Sequence, residues 1–160
     1  LRLLRPAKRH IFIWIGVQEY SEEHRRMTHD RLQFGLENTV LLVPKVSNPH
    51  AYLSAVDIFT LTSREDAFSL VSLEAAGLGV PVICFAGSGG AQELVGSEGG
   101  QVVPYLDIDA MAKAVVALSE NDARRSHLGE TLRARANAHF TLETQAPKLL
   151  AVIENNRLNR

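Results

Sequence analysis

The chain has 160 residues, 46% hydrophobic and 22% charged, which is enough for one ordinary domain with its own core and too few for two. Seventeen Lys and Arg against eighteen Asp and Glu leave a formal charge of −1, so no global field invites nucleic acid or an anionic membrane, and any nucleotide must be bound locally. A single cysteine, Cys84, excludes a disulfide framework and a cysteine-rich zinc site and fits a reducing compartment, with the cytoplasm as the default.

The chain opens on Leu1-Arg2-Leu3-Leu4-Arg5-Pro6 without Met, which reads as the tail of a helix running into a turn in a piece of a longer protein. The apolar stretch that follows, residues 11–17, is far shorter than the roughly 18–20 residues a bilayer span needs. No signal peptide precedes it, so a soluble segment is expected.

Within that stretch, residues 11–15 form a continuous β-branched and aromatic run closed by Gly16, the pattern of a strand buried on both faces in a parallel sheet. Similar runs recur at residues 40–43, 58–61, 80–85 and 101–103. Between them lie helical stretches at 21–34, with Ser21 as N-cap, and at 50–56, 69–78 and 91–95, as capping and periodicity predict. Strands alternating with helices argue for βαβ units. The expected fold is therefore α/β, a Rossmann-like open parallel sheet flanked by helices. From Asp107 onward the strands stop, and residues 107–118, 122–139 and 142–155 predict a helical C-terminus.

Eight of the eleven glycines fall between Gly77 and Gly100, where backbone freedom or close approach is wanted. In open α/β sheets ligands bind beyond the carboxyl ends of the strands, which directs attention to the loops after Leu61 and Phe85. After Leu61 the chain reads Thr62-Ser63-Arg64-Glu65-Asp66-Ala67-Phe68-Ser69-Leu70-Val71-Ser72-Leu73-Glu74-Ala75-Ala76-Gly77. A helix starting near Phe68 leaves Asp66 in the loop before it and sets Glu74 inside, among Leu70, Val71, Leu73, Ala75 and Ala76. Burial of a lone carboxylate is costly, so Glu74 needs either a protein partner or a ligand's hydroxyl groups. At about 1.5 Å rise per residue, Ser69 and Glu74 stand roughly 7 to 8 Å apart along the axis, of the order of a phosphate-to-ribose distance. The first-turn amides of Phe68, Ser69, Leu70 and Val71 make an anion site reinforced by the helix dipole. The second loop, Cys84-Phe85-Ala86-Gly87-Ser88-Gly89-Gly90-Ala91-Gln92-Glu93, lets backbone approach a ligand closely. It fits neither a Walker loop nor Gly-x-Gly-x-x-Gly.

Taken together, the acid-x7-Glu spacing of Asp66 and Glu74, the run Glu-Ala-Ala-Gly-Leu-Gly-Val-Pro-Val-Ile at 74–83 and Gly89-Gly90-x-x-Glu93 resemble the C-terminal donor-binding domain of family-4 retaining glycosyltransferases of the GT-B fold (glycosyl transferases group 1). The resemblance covers nearly the whole chain. It implies that Asp66 stands for the first acid of the motif, near the transferred sugar, and that Glu74 holds the ribose hydroxyls. Phe68, Ser69, Leu70 and Val71 would meet the diphosphate and sugar, and Gly89 and Gly90 would keep neighbouring space open. Asp66 replaces the usual Glu and has Glu65 beside it, so either carboxylate could be the catalytic acid group facing the sugar.

The same resemblance implies one nucleotide-sugar-binding domain over residues 1–160, without its own first strand, the family's Arg and Lys pair or the N-terminal acceptor domain. It also implies a nucleoside diphosphate sugar as donor substrate and a front-face retaining transfer with no obligatory metal and no further cofactor. The acceptor, a saccharide or lipid-linked glycan, would be bound mainly by the N-terminal domain. No nucleic-acid partner and no integral membrane segment are expected, and the location is cytoplasmic, at most peripheral to a membrane.

Of the remaining residues, Arg64 and Lys45 are the basic side chains best placed to approach a diphosphate. Cys84 is read as a small core residue. The six histidines show no metal-ligand spacing, and Arg124, Arg125, Arg133 and Arg135 read as a solvated basic face. The alternative is a non-catalytic Rossmann-like ligand-binding or interaction domain in which Asp66 and Glu74 are structural. A GT-B epimerase or phosphorylase is a further enzymatic rival, the latter lacking a recognisable cofactor lysine.

Overall fold

The computed structural model describes residues 10–158. The opening Leu1–Pro6 segment, read above as a helix tail, lies outside them. The chain forms two compact units, one over residues 5–52 and one carried by residues 53–160.

In the first unit β1 (Phe12–Ile15) pairs in parallel with β2 (Val40–Val43), Phe12 opposite Val40 and Ile15 opposite Val43. Between them runs α1 (Glu22–Gln33). Ser21 caps it as expected, its hydroxyl accepting the His24 amide at 3.0 Å. Glu22 and Glu23 in the first turn and Arg31 in the last complement the helix dipole. The expectation that residues 11–15 are buried on both faces is not met: Ile11, Ile13 and Trp14 are exposed. Among the described residues β1 has a single strand neighbour, and α1, the helix that follows it, buries none of its residues. A β-branched and aromatic run reports strand propensity, but not the number of layers that cover the strand.

After α2 (Pro49–Leu53), the second unit holds a parallel sheet in the order β3 (Phe59–Leu61), β4 (Val82–Phe85), β5 (Gly100–Val103). The helices α3 (Leu70–Gly77) and α4 (Ala91–Val95) make the two crossovers. Consecutive right-handed crossovers advancing in one direction leave both helices on one face. The central strand β4 is buried along its whole length. Its alternation sends Val82 and Cys84 into a core with Ala75, Ala76, Ala91, Leu94, Val95 and Leu132. Ile83 and Phe85, equally buried, face the other way, where α5 (Ile108–Ser119) packs on β4 and β5 and buries Met111, Ala114, Val115 and Leu118. Cys84 is fully buried, and burial pushes its thiol up to about 11. This is the inert core residue its setting predicts.

The C-terminus is helical as expected, with α5 followed by α6 (Asp122–His139) and α7 (Leu142–Leu158). Asp107 and Asn121 are the N-caps of α5 and α6, accepting the Ala110 amide at 2.8 Å and the Arg124 amide at 2.9 Å. The basic face read onto α6 is corrected in two places. Arg125 pairs with Asp57 at 3.3 Å and Asp122 at 3.0 Å and donates to the Leu118 carbonyl. Arg135 donates to the Glu93 carbonyl at 3.0 Å, at the end of α4. Both staple elements together, and only Arg124 and Arg133 of the four are exposed. The strands thus form two parallel sheets in the described residues, where sequence suggested one open sheet, while the α/β class and the parallel sense hold. No helix among the described residues is long and apolar enough to cross a membrane.

Candidate functional site

Because β3, β4 and β5 are parallel, the loops that follow them, residues 62–69, 86–90 and 104–107, leave the same edge of the sheet. The first carries the acids, the second the glycines. Within the strands Leu61 sits opposite Cys84, and beyond them the pairing resumes with the same offset as an isolated parallel bridge between Asp66 and Gly89. The Asp66 amide donates to the Ser88 carbonyl at 2.8 Å, and the Gly90 amide to the Ala67 carbonyl at 3.1 Å. The two loops therefore carry the β3–β4 register past a four-residue excursion on each side, and Asp66 is held as firmly as a ladder residue.

This staple explains both glycines. Gly89 has φ +135°, and a Cβ there would stand 1.7 Å from the Asp66 carbonyl oxygen. A Cβ on Gly90 would stand 2.3 Å from the Phe68 ring. Rather than keeping open space, the pair lets the glycine loop close onto the acid loop. Ser88 completes the turn, its buried hydroxyl donating to the Phe85 carbonyl at 2.9 Å, and the Gln92 side chain accepts the Gly87 amide at 2.9 Å.

Helix α3 begins two residues later than a start near Phe68. Ser69 is its N-cap, with a buried hydroxyl that accepts the Ser72 amide at 3.2 Å. The Ser69 side chain is therefore occupied by the helix, and the amides of Leu70 and Val71, the first two helical residues, are the ones without intrahelical partners. Phe68 turns its ring onto Phe140, centroids 5.4 Å apart, against the core, with the ring edge beside Gly90. Glu74 lies three and four residues after Val71 and Leu70, hence on their side of the helix. That side is open: Leu70 is 72% exposed and Val71 exposed, whereas Ser72, Ala75 and Ala76 turn into the core. Glu74 is accordingly half-buried on the outer face; of its apolar neighbours, Leu70 and Val71 share that exposed side while Ala75 and Ala76 turn into the core.

Asp66 is half-buried, and Glu65 and Arg64 are exposed beside it. Lys45 is exposed and belongs to the other unit. One participant escaped the sequence reading altogether. From the loop after β5, the Tyr105 hydroxyl donates to the Arg64 carbonyl at 3.3 Å, across 41 residues of sequence. No local motif announces such a contact. Among the described residues, no cluster of three or more His, Cys, Asp or Glu side chains could hold a metal ion.

The sequence model of the family described as Glycosyl transferases group 1 matches residues 2–121, three quarters of the chain and all of the elements that build this edge. The chain belongs to that family. Its second unit is the Rossmann-like core of the C-terminal domain of a group 1 glycosyltransferase. Among curated relatives, the lipopolysaccharide core biosynthesis mannosyltransferase LpsB of Rhizobium meliloti is 31% identical over 124 residues, covering 76% of this chain and 35% of that protein. The chain thus spans about a third of the length of this curated relative. Among solved structures, the sucrose-phosphate synthase of Thermosynechococcus elongatus superposes with a TM-score of 0.80 at 27% identity, over 92% of this chain and 39% of that one. The Anabaena protein Alr3699/HepE, solved in complex with UDP, shares the fold with a TM-score of 0.82 at 21% identity, over 91% of this chain and 41% of that one.

Proposed function

We propose that this group 1 glycosyltransferase domain binds the donor for a retaining, family-4-type transfer. A hexose or deoxyhexose would pass from a nucleoside diphosphate to an acceptor hydroxyl in polysaccharide or glycoconjugate synthesis. The observation that carries the reading is the stapled acid loop. A carboxylate held in the extended β3–β4 register stands at the mouth of α3, and a second carboxylate follows about a turn and a half along the helix's open face. The UDP held by the structural relative Alr3699/HepE supports a nucleoside diphosphate as the anionic part of the ligand.

In this reading the free amides of Leu70 and Val71, aided by the helix dipole, hold the diphosphate. Ser69 and Phe68 shape that turn through their backbone, and Arg64 supplies positive charge. Glu74 accepts from the ribose hydroxyls. Asp66 faces the sugar, and because adjacent residues of extended chain point to opposite sides, Glu65 serves the outer side of the loop. Stabilising the leaving diphosphate is the main electrostatic task of such a transfer. The amides and Arg64 meet only part of it, so the isolated chain is expected to bind donor and to turn over little. Acceptor binding and the remaining basic groups are assigned to a further domain of the whole protein. Calorimetric titration with UDP, GDP, dTDP and their sugars tests the reading. Selective binding of one base's series, weakened at least about tenfold in Glu74→Ala (roughly 1.4 kcal/mol), is the expected result. A folded chain that binds none of them refutes it.

A further inference from the structure

The contact between Tyr105 and Arg64 lies outside every motif that led to the donor site. Tyr105 sits in the four-residue turn that follows β5, closed by the Asp107 amide donating to the Pro104 carbonyl at 3.1 Å. The next residue, Leu106, takes φ +55°, a left-handed conformation that a branched side chain adopts at a cost and that marks turns held for a purpose. The turn places the aromatic ring, 51% exposed, across the mouth of the sheet, where its hydroxyl meets the Arg64 carbonyl.

The acid loop is thereby held from the ends of the other two strands of its sheet, β4 and β5. Ser88 and Gly90 hold Asp66 and Ala67 from the β4 side, and Tyr105 holds Arg64 from the β5 side. Without the Tyr105 hydroxyl, Arg64 and Glu65, just ahead of the Asp66 staple, lose that contact, and the direction in which the neighbouring carboxylates point is less closely set.

We propose that Tyr105 is a positioning residue for the donor's sugar. Its hydroxyl fixes the Arg64–Asp66 segment so that one carboxylate, and not its neighbour, meets the sugar. The inference rests on the donor-site reading and extends it. It makes discrimination between a nucleoside diphosphate and its sugar ester depend on a residue that touches neither. The ribose contact and the amide contacts to the diphosphate belong to α3, which Tyr105 does not anchor, and Tyr105 meets Arg64 only at its carbonyl.

The test compares the wild-type chain with Tyr105→Phe, which removes one hydroxyl and keeps the ring. NMR titrations with UDP, UDP-glucose, GDP and GDP-mannose give affinities into the millimolar range, and amide hydrogen exchange reports the Asp66 amide. In the variant we expect about fivefold weaker binding of the preferred sugar nucleotide and a change under twofold for the parent diphosphate. The Asp66 amide should exchange several-fold faster, at an unchanged thermal midpoint. Equal discrimination and unchanged exchange would overturn the positioning role. So would a uniform loss for both ligands accompanied by a lower midpoint, which is the mark of a merely structural tyrosine. A wild-type chain that binds none of the four ligands marks the failure of the donor-site reading itself. Normal binding with an indifferent Tyr105→Phe marks the failure of the clamp alone.

Discussion

Replacing Gly89 by Ala should damage the site from within its own scaffold, and the neighbouring Gly87 provides the control. Both have positive φ, +135° at Gly89 and +70° at Gly87, so each alanine carries left-handed strain of about 1–2 kcal/mol. They differ in surroundings. At Gly87 a Cβ meets nothing within 4 Å, while at Gly89 it stands 1.7 Å from the Asp66 carbonyl oxygen. The two loops must part by more than an ångström before that contact becomes tolerable, and the Asp66 amide then loses the Ser88 carbonyl, 2.8 Å away. Losing a hydrogen bond and leaving its half-buried groups poorly satisfied costs about 1–3 kcal/mol. Allowing for residual strain in the opened loops, Gly89→Ala should be less stable than Gly87→Ala by about 2–4 kcal/mol, or roughly 5–10 °C of thermal midpoint for a chain of this size. Urea and thermal denaturation of the two variants give the difference directly. On the donor-site reading, Gly89→Ala should also lose sugar-nucleotide binding that Gly87→Ala retains. Equal midpoints would refute the claim that the glycine loop closes onto the acid loop.

Two further outcomes follow from the core. Ser72 is fully buried and its hydroxyl finds no hydrogen-bond partner among the described residues, so Ser72→Ala should stabilise the chain by about 1 kcal/mol, raising the midpoint by roughly 2–4 °C; a fall in midpoint would reveal a partner for that hydroxyl. Cys84 should resist iodoacetamide at pH 8 until the chain unfolds. Because its folded pKa of about 11 lies above the ordinary thiol value of 9.0, its contribution is complete below pH 9 and is lost as pH rises toward 11. Cys84→Ala should flatten that alkaline decline in denaturation curves recorded between those limits.

What the sequence made legible here is what local chemistry encodes. Ser21 announces its helix because a hydroxyl at an N-cap satisfies an amide three residues on, a relation contained in four consecutive residues. The acid-x7-Glu spacing likewise fixes Glu74 relative to the helix start whatever surrounds it. The facing of Glu74 is not legible from its apolar neighbours, which are informative only by side: the exposed Leu70 and Val71 share its side while Ala75 and Ala76 do not. Burial of residues 11–15 was overestimated for a related reason: cover depends on elements elsewhere, which the run itself does not describe.

The site's stiffness is the part least visible in sequence. Asp66 meets Ser88 and Gly89, and Arg64 meets Tyr105, pairs brought together only when three parallel strands release their loops at one edge. The preserved β3–β4 offset gives those contacts a common cause. A loop that leaves and re-enters the ladder in the same register has the backbone of Asp66 set from the β4 side, and the Tyr105 contact at Arg64 adds to that hold. On the donor-site reading, this lets an Asp stand where the resemblance implies a longer Glu. The shorter side chain is compensated if the loop holds its backbone close to the ligand, and this requires glycine, with no Cβ, at the position opposite.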